Sequence, residues 1–375
     1  MPPSGTISSQ EVPIPDMNHI VRIQEALGRL NLDALLLTDE KNQRYATGFA
    51  FTDGFVLVSC EKAWLITDSR YIEAAQTAAG SCAEVLLYDN AHPKTQVLRQ
   101  LLSGEGLRAL AAEDQKLSHA AYSNLEKLLG LSLSPAGGLM AELRATKDED
   151  ELRSMIAAQR ISEKALEETL AVIRPGMTEK EVAAELVYRM LRNGSEGNAF
   201  DPIVVTGRNT SKPHGVPGDT ALRPGDFITM DFGSLTDGYC SDMTRTVALC
   251  TATDEMKQVY DTVLRAQLAG IKAARAGIPG MEIDAAARRV INGAGFGAYF
   301  GHGFGHCLGL DIHEPPFLNP TGKVPMPENS VCSAEPGIYI PGRFGVRIED
   351  VLILRADGCE NITRAPKTEL LIVGT

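Results

Sequence analysis

Two aspartates, Asp231 and Asp242, lie eleven residues apart around a segment that contains the turn signal DG. A turn between two strand-like runs predicts a β-hairpin that places the two carboxylates side by side. Carboxylates at close range repel each other, so one stays protonated unless a cation lies between them. Asp231 also ends the apolar run FITM, where a lone charge is costly. The pair therefore predicts a cation site, against the alternative of two solvated loop acids.

Three of the seven histidines fall within twelve residues of the segment GHGFGHCLGLDIHEPP, namely His302, His306 and His313. Alternate glycines disfavour a helix here and let the backbone approach a neighbouring group closely. The segment lacks the HExxH pattern of helical zinc peptidases. His214 lies in a loop before the Asp231 strand. Single histidines of this kind are often core or incidental loop residues, but three together favour a functional cluster.

Two glutamates lie in apolar surroundings, Glu335 in SAEPGIY and Glu349 in GVRIED. A regular strand through the second motif would place Arg347 and Glu349 on the same face. An ion pair between these two residues is therefore the alternative to metal binding by Glu349.

Four carboxylates and one imidazole form the candidate ligand set: Asp231, Asp242, His306, Glu335 and Glu349. Oxygen donors with a single imidazole favour Mn²⁺, with Co²⁺, Fe²⁺ or Zn²⁺ as alternatives. The four negative charges match two divalent cations, and a pair of metal ions is typical of hydrolytic centres.

Composition limits the class of protein that could carry this site. The chain has 375 residues, which predicts two or three domains, and its 44% hydrophobic and 22% charged residues are ordinary globular values. A net charge of −12 disfavours nucleic acid and anionic membranes as partners, and no apolar run is long enough to span a bilayer. Seven cysteines without a CxxC pair disfavour a disulfide framework and indicate a reduced, cytoplasmic protein.

Helix and strand patterns divide the chain into three parts. Residues 1–16 are rich in Pro and Ser and predict a disordered leader, and residues 17–140 alternate between helices and strands, as in an α/β domain. Residues 145–375 contain an internal repeat, because PGMTEKEVAAEL recurs 104 residues later as PGMEIDAAARRV. The same offset relates Asp231 to Glu335. The repeat predicts two related halves that build one site at their interface.

The motifs TMDFGSLTDGYCSDMTRT, GHGFGHCLGLDIHE, SAEPGIY and GVRIEDV, in this order, closely resemble the metallopeptidases with the pita-bread fold. The overall layout resembles the aminopeptidase P and prolidase branch. The resemblance implies an α+β fold, in which a pita-bread (creatinase/aminopeptidase) domain with pseudo-two-fold halves, residues 145–375, follows a smaller, creatinase-like α/β domain. It also implies a homodimer.

The resemblance assigns roles to individual residues by motif. It implies that the five candidate ligands hold two metal ions and that His214 lies on the leaving side of the scissile bond. His302 and His313 flank the metal histidine, so that one supports the proline side of the substrate and the other the tetrahedral intermediate. Arg347 matches an arginine that contacts the substrate or a neighbouring ligand. Glu335 is the candidate proton shuttle.

The activity that this resemblance implies is hydrolysis of the peptide bond before a proline in the second position, with release of the first residue. A dipeptidase specific for Xaa-Pro (a prolidase) is the main alternative, since the motifs are shared. Methionine aminopeptidases share the five ligands but usually lack a leading domain of this size. Creatinase-like or non-catalytic relatives have lost ligands, whereas all five are present here.

Overall fold

The structure, a computed structural model, describes residues 19–374. Contacts divide the chain into two compact units, with the division after Gly137. The leader predicted for residues 1–16 lies outside the described residues, and the domain limits drawn from the sequence, 17–140 and 145–375, remain a prediction. Among the described residues, no helix has the length and apolar character needed to cross a membrane.

The first unit contains one six-stranded mixed sheet with the order β4-β3-β2-β1-β5-β6. Its core is apolar and includes the only tryptophan, Trp64, against the strands and the helices. The elements in chain order are α1 (Ile20–Leu30), β1 (Ala34–Leu37), α2 (Glu40–Thr47), β2 (Gly54–Ser59), β3 (Ala63–Thr67), α3 (Ile72–Ala79), β4 (Glu84–Leu87), α4 (Lys94–Gly104), β5 (Leu110–Ala112), α5 (His119–Leu129) and β6 (Ser134–Pro135).

The second unit contains a four-stranded sheet, β19-β11-β8-β7, a five-stranded sheet, β13-β12-β14-β17-β18, and two short ribbons, β9–β10 and β15–β16. Its helices are α6 (Leu139–Ala145), α7 (Glu149–Leu170), α8 (Glu179–Arg192), α9 (Asp254–Ala273) and α10 (Gly280–Gly293). Its strands are β7 (Ile203–Thr206), β8 (Phe227–Phe232), β9 (Leu235–Thr236), β10 (Tyr239–Cys240), β11 (Met243–Leu249), β12 (Gly305–Cys307), β13 (Glu314–Leu318), β14 (Val331–Ala334), β15 (Gly337–Ile340), β16 (Phe344–Arg347), β17 (Asp350–Arg355), β18 (Gly358–Asn361) and β19 (Ile372–Val373).

The second unit consists of two related halves, as the internal repeat predicts. In the first half, α7 packs on α8 and the strands β7 and β8 follow; in the second, α9 packs on α10 and β12 and β14 follow. Strand β8 begins at Phe227 and β14 begins at Val331, which reproduces the offset of 104 residues. Each half has its own apolar core, because each helix pair buries one face against its own sheet.

The hairpin predicted between the two aspartates is confirmed. Strands β8 and β11 are antiparallel, with Asp231 opposite Thr244 and Asp242 just before β11. The connection forms the ribbon β9–β10, which turns at Asp237 and Gly238 with φ of 50° and 73°. Positive φ at both central residues is the geometry that suits the right-handed twist of paired strands. The hairpin thus brings both carboxylates to one end of the sheet.

The regular strand predicted through GVRIED is wrong. Strand β16 ends at Arg347 and β17 begins at Asp350, so that Ile348 and Glu349 lie in the connection. The backbone N–H of Glu349 donates to the carbonyl of Thr244 at 3.1 Å, which turns this segment towards the start of β11. The connection therefore places Glu349 beside the hairpin that carries the two aspartates.

Candidate metal centre

A cavity of about 550 Å³ opens between the two halves of the second unit. This volume lies in the usual range for a site that binds a small molecule or a short peptide. All nine site residues predicted from the sequence line it: His214, Asp231, Asp242, His302, His306, His313, Glu335, Arg347 and Glu349.

Three of the candidate ligands form a compact buried cluster. Asp242, His306 and Glu349 each offer a ligand atom, and these three atoms lie within 4.8 Å of one another. Nε2 of His306 lies 3.6 Å from Oδ2 of Asp242 and 3.2 Å from Oε1 of Glu335. Glu335 therefore adjoins the cluster on the imidazole side, and all of these donors converge on one small volume.

The hydrogen bonds of His306 fix which ring nitrogen faces the cluster. Its Nδ1 lies 3.0 Å from the carbonyl oxygen of Cys307, and a carbonyl only accepts, so Nδ1 carries the hydrogen. Nε2 is thereby left to face the carboxylates, as in a metal-binding imidazole. The neighbouring Gly305 permits this geometry, because a Cβ atom there would lie 2.1 Å from the carbonyl oxygen of Ser333.

One carboxylate oxygen of Asp231 accepts a hydrogen bond, and the other has no hydrogen-bond partner among the described residues. Its Oδ2 accepts a hydrogen bond from Nη2 of Arg347 at 2.5 Å. Arg347 therefore forms its ion pair with Asp231 and not with Glu349, the partner in the alternative drawn from the sequence. Oδ1 of Asp231 is buried and accepts no hydrogen bond from any described residue. A buried carboxylate oxygen normally has a partner. A divalent cation would supply that partner, so this donor set fits a metal centre.

Burial and mutual repulsion set the charges of the cluster. Burial raises the pKa of Asp242 well above its usual range, and the nearby Asp231 raises it further. Burial also raises the pKa of Glu349, with Asp242 as the next contributor. Burial opposes charge on His306 and Glu335, but their hydrogen bond prevails, raising the pKa of His306 to about 9 and lowering that of Glu335 to about 2. Without a cation, the centre therefore retains protons that metal ions would displace.

His302 does not have a free ring nitrogen. Its Nδ1–H donates to the carbonyl of Gly303 at 2.8 Å, and its Nε2 accepts from the hydroxyl of Tyr339 at 2.9 Å. The same hydroxyl accepts from Nη1 of Arg347 at 2.8 Å. Burial lowers the pKa of His302, in agreement with a neutral ring. His302 thus supports Arg347 and, through Arg347, Asp231. The direct contact with substrate that the sequence suggested would require these hydrogen bonds to break.

His313 and His214 are the histidines that face the cavity with fewer constraints. The ring of His313 lies edge-on to that of His306, with 4.2 Å between the centroids. Burial lowers the pKa of His313, and the neighbouring His306 lowers it further. His214 follows β7 in the chain and also lines the cavity. Both side chains are therefore available to donate a hydrogen bond to a bound substrate.

Two hydroxyl residues that sequence reasoning missed bind the candidate ligands. Oγ1 of Thr244 donates to Oε2 of Glu349 at 2.7 Å and accepts from Nε of Arg347 at 3.0 Å. Oγ of Ser333 donates to Oε1 of Glu335 at 3.1 Å. A signal for both existed, because Thr244 follows Asp242 by two residues and Ser333 precedes Glu335 by two, the spacing that places side chains on one face of extended backbone.

A buried ion network, which no sequence pattern predicted, supports the loop that carries His313. Glu314 accepts from the guanidinium of Arg144 and, at 3.0 Å, from Nζ of Lys147. It also accepts from the backbone N–H of Asp311 at 3.1 Å. Burial opposes ionisation of Glu314, but the two cations outweigh it and lower its pKa. The network anchors the residue next to His313 and so restrains the backbone that carries that ring.

Comparison with known families agrees with this geometry. The family model described as metallopeptidase family M24 matches residues 153–356. The chain belongs to metallopeptidase family M24. A second model, the creatinase/prolidase N-terminal domain, matches residues 19–146 of the M24 protein. The predicted fold class, a pita-bread domain after a creatinase-like domain, is thereby confirmed, and so is the prediction of a peptidase.

Solved structures and curated relatives of the M24 protein match it almost end to end. An Xaa-Pro dipeptidase from Bacillus anthracis is 39% identical with a TM-score of 0.90, and the match covers 94% of this chain and 99% of that one. An X-Pro aminopeptidase from Thermotoga maritima MSB8 is 36% identical with a TM-score of 0.88, over 95% and 100% of the two chains. An Xaa-Pro dipeptidase from Pyrococcus horikoshii is 31% identical, over 93% of this chain and 97% of that protein.

Metal binding by the M24 protein is expected to strengthen as the pH rises from 6 towards 9. A raised pKa means that the proton is held more tightly, so cations compete with protons on His306, Asp242 and Glu349 most severely at low pH. Calorimetric titration with Mn²⁺ in buffers of different ionisation enthalpy should show a net release of protons. Equal affinity at pH 6 and pH 8 would contradict this assignment of the donors.

His214→Ala and His313→Ala are each expected to retain metal and to lose about 10²–10³-fold in kcat, the usual effect of removing one donor to a developing oxyanion. Metal content by elemental analysis and kcat at saturating metal would be measured together. His119→Ala, at the exposed start of α5, is the matched control and should match the wild type. Loss of metal from either cavity variant would instead make that histidine a ligand.

Proposed function

We propose that this protein is a dinuclear metal-dependent Xaa-Pro aminopeptidase, which removes the first residue of a peptide whose second residue is proline. The observation that carries the proposal is the convergence of three buried acids, the partly buried Glu335 and one imidazole in a peptide-sized cavity. The names of its relatives support the choice of proline, because both Xaa-Pro dipeptidases and an X-Pro aminopeptidase are similar to it over nearly the whole chain.

The proposed ligands are Asp231, Asp242, His306, Glu335 and Glu349. Two divalent cations held there would supply Lewis-acid activation of the scissile carbonyl and of water. The oxygen-rich donor set favours Mn²⁺. The homodimer remains part of the proposal on the ground of the family resemblance, and the cytoplasmic location on the ground of the cysteine pattern.

The protein's own groups move the proton and stabilise charge. Glu335 accepts a proton from the attacking water and passes it to the leaving nitrogen of proline, with Ser333 holding its carboxylate in place. His313 and His214, which both line the cavity, donate to the developing oxyanion. Arg347 favours the charged form of Asp231, against the effect of burial, and orients its carboxylate.

The charge of the cavity wall favours longer peptides over dipeptides. An Xaa-Pro dipeptide carries its terminal carboxylate directly after the proline ring, so a dipeptidase needs a positively charged side chain, besides the metal ions, to pair with it. Among the residues that line the cavity, Arg347 is the one arginine, and there is no lysine. Arg347 is 3% exposed and already paired with Asp231. In Xaa-Pro-Yaa an amide replaces that carboxylate, which removes the conflict.

A substrate-length series tests the proposal. Ala-Pro, Ala-Pro-Ala and Ala-Ala-Ala would be compared at equal concentration with the metal-loaded protein, and kcat/KM would be measured by release of free alanine or proline. We expect Ala-Pro-Ala to be cleaved at least about tenfold faster than Ala-Pro, the discrimination expected when a buried charge is left without a partner. Exclusive cleavage of Ala-Pro would make the protein a dipeptidase, and equal cleavage of Ala-Ala-Ala would refute proline specificity.

A further inference from the structure

The segment 300–304, which leads into the strand of His306, is rich in glycine. Its sequence is FGHGF, and Gly305 at the start of β12 follows it. Glycine loses more conformational freedom on folding than any other residue, so such a segment needs contacts from neighbouring elements to take a single conformation. A side chain at Gly303 could not supply them, because a Cβ atom there would lie 2.7 Å from Cβ of Asn319. The contacts that hold the segment must therefore come from elsewhere in the fold.

Two residues of α10 supply contacts of this kind to the backbone of the segment. Nη1 of Arg288 donates to the carbonyl of Phe300 at 2.9 Å, and Nη2 donates to the carbonyl of His302 at 2.7 Å. Oδ1 of Asp284 accepts from the backbone N–H of Phe304 at 2.9 Å. Because Asp284 and Arg288 are four residues apart, they lie on the same face of the helix. One helix face thus fastens the segment at three positions.

Asp284 and Arg288 also bind each other, which fixes the direction of the guanidinium. Nε and Nη2 of Arg288 donate to the two carboxylate oxygens of Asp284, both at 2.9 Å. The guanidinium also lies over the ring of Phe300, with 4.2 Å between its carbon and the ring centroid. A planar guanidinium can form these four hydrogen bonds at once, whereas a lysine ammonium cannot reproduce their directions.

The last residue of the segment connects it to two proposed ligands. The carbonyl of Phe304 accepts from the backbone N–H of Glu335 at 2.8 Å. His306 follows Phe304 by two residues along the chain. The positions of Glu335 and His306 therefore depend on the position of Phe304.

His302 connects the segment to a third proposed ligand. Its ring accepts from the hydroxyl of Tyr339, which accepts from Arg347, and Arg347 pairs with Asp231. Arg288 binds the carbonyl of His302 and so fixes the first member of this chain of hydrogen bonds.

We infer that Arg288, held by Asp284, is a positioning residue of the metal centre. This inference rests on the ligands of the proposed function. Neither residue is among those that line the described cavity, so both act through the backbone of the segment 300–304. Replacement of a group that orients metal ligands from behind typically costs about 10–100-fold in metal affinity.

The test is the dissociation constant of Mn²⁺, measured by calorimetric titration of metal-free wild type and Arg288→Lys. The substitution keeps the positive charge but loses the fork of donors, and we expect the constant to rise about 10–100-fold. Asp284→Asn keeps the size of the side chain and one acceptor oxygen, and it should weaken Mn²⁺ binding in the same direction. Arg289→Lys, at the exposed neighbouring position of α10, is the matched control and should bind Mn²⁺ as the wild type does.

A role confined to the stability of the fold gives a different result. It lowers the midpoint of thermal unfolding of the metal-free protein and leaves the Mn²⁺ affinity of the folded protein unchanged. That result in both Arg288→Lys and Asp284→Asn would overturn the inference, as would an equal loss of affinity in Arg289→Lys.

The proposed function is tested separately, by hydrolysis of Ala-Pro-Ala. A wild type that binds Mn²⁺ but cleaves no peptide would refute the proposed function, while the comparison of affinities would still decide the role of Arg288. A wild type that binds no Mn²⁺ would refute the proposed ligand set and this inference with it.

Discussion

Asp242→Ala is expected to lower kcat/KM by at least about 10³-fold and to empty the centre of metal. Asp242 contributes one of the three clustered ligand atoms, and metal ions stabilise a hydrolytic transition state by several kcal/mol, with each ~1.4 kcal/mol worth tenfold in rate. Metal content and kcat/KM for Ala-Pro-Ala would be measured on the same preparation. Asp357→Ala, which removes an exposed aspartate in a turn, is the matched control.

Asp242→Ala is expected to leave the metal-free protein at least as stable as the metal-free wild type. Burial and repulsion by Asp231 raise the pKa of Asp242, which means that its charged form costs free energy in the folded state. Thermal unfolding in the presence of a chelator would test this sign. A large loss of stability would contradict it, because the loss of activity would then reflect misfolding instead of a missing ligand.

Glu314→Ala is expected to lower the free energy of unfolding by about 3–5 kcal/mol, the usual cost of breaking a buried ion pair by removing one partner. The substitution deprives Arg144 and Lys147, 5% and 1% exposed, of the carboxylate that they share. Urea unfolding at pH 7 would measure the loss, with Glu328→Ala at an exposed loop position as the control. A difference below 1 kcal/mol between the two variants would show that the network does not stabilise the fold.

The loss of stability caused by Glu314→Ala is expected to become smaller as the pH falls. The folded-state pKa of Glu314 is lowered, so its contribution to stability is complete above its unfolded pKa of ~4.5 and disappears as the pH falls through the folded value. The stability difference between wild type and Glu314→Ala should therefore shrink in acid. A difference that grows below pH 4 would contradict the assignment of Glu314 as the charged partner.

Part of the candidate site could be predicted from the sequence, because its signals are a short turn and an internal repeat. The turn between Asp231 and Asp242 implies the hairpin, and the repeat of 104 residues implies the second half that brings Glu335 to the same site. Hydrophobic periodicity and turn residues act over a few positions, and they are therefore visible in a single chain.

The supporting contacts could not be found in this way, because they join distant parts of the chain. Arg347 pairs with Asp231 across 116 residues, and Arg144 with Glu314 across 170. The strand predicted through GVRIED was wrong for the same reason. A hydrogen bond between two distant residues, from the N–H of Glu349 to the carbonyl of Thr244, interrupts the regular strand there. Only the packing of the two halves determines which of several polar residues becomes the partner of a given acid.

The measurement that tests the dinuclear peptidase most directly is a titration of metal-free protein with Mn²⁺ while hydrolysis of Ala-Pro-Ala is followed. Four acids and one imidazole in one cavity predict that activity is absent without metal and rises to a plateau at about two equivalents per chain. Chelation should then abolish the activity reversibly. Full hydrolysis by protein in which elemental analysis finds no divalent metal would contradict the proposed centre, as would a plateau at a single equivalent.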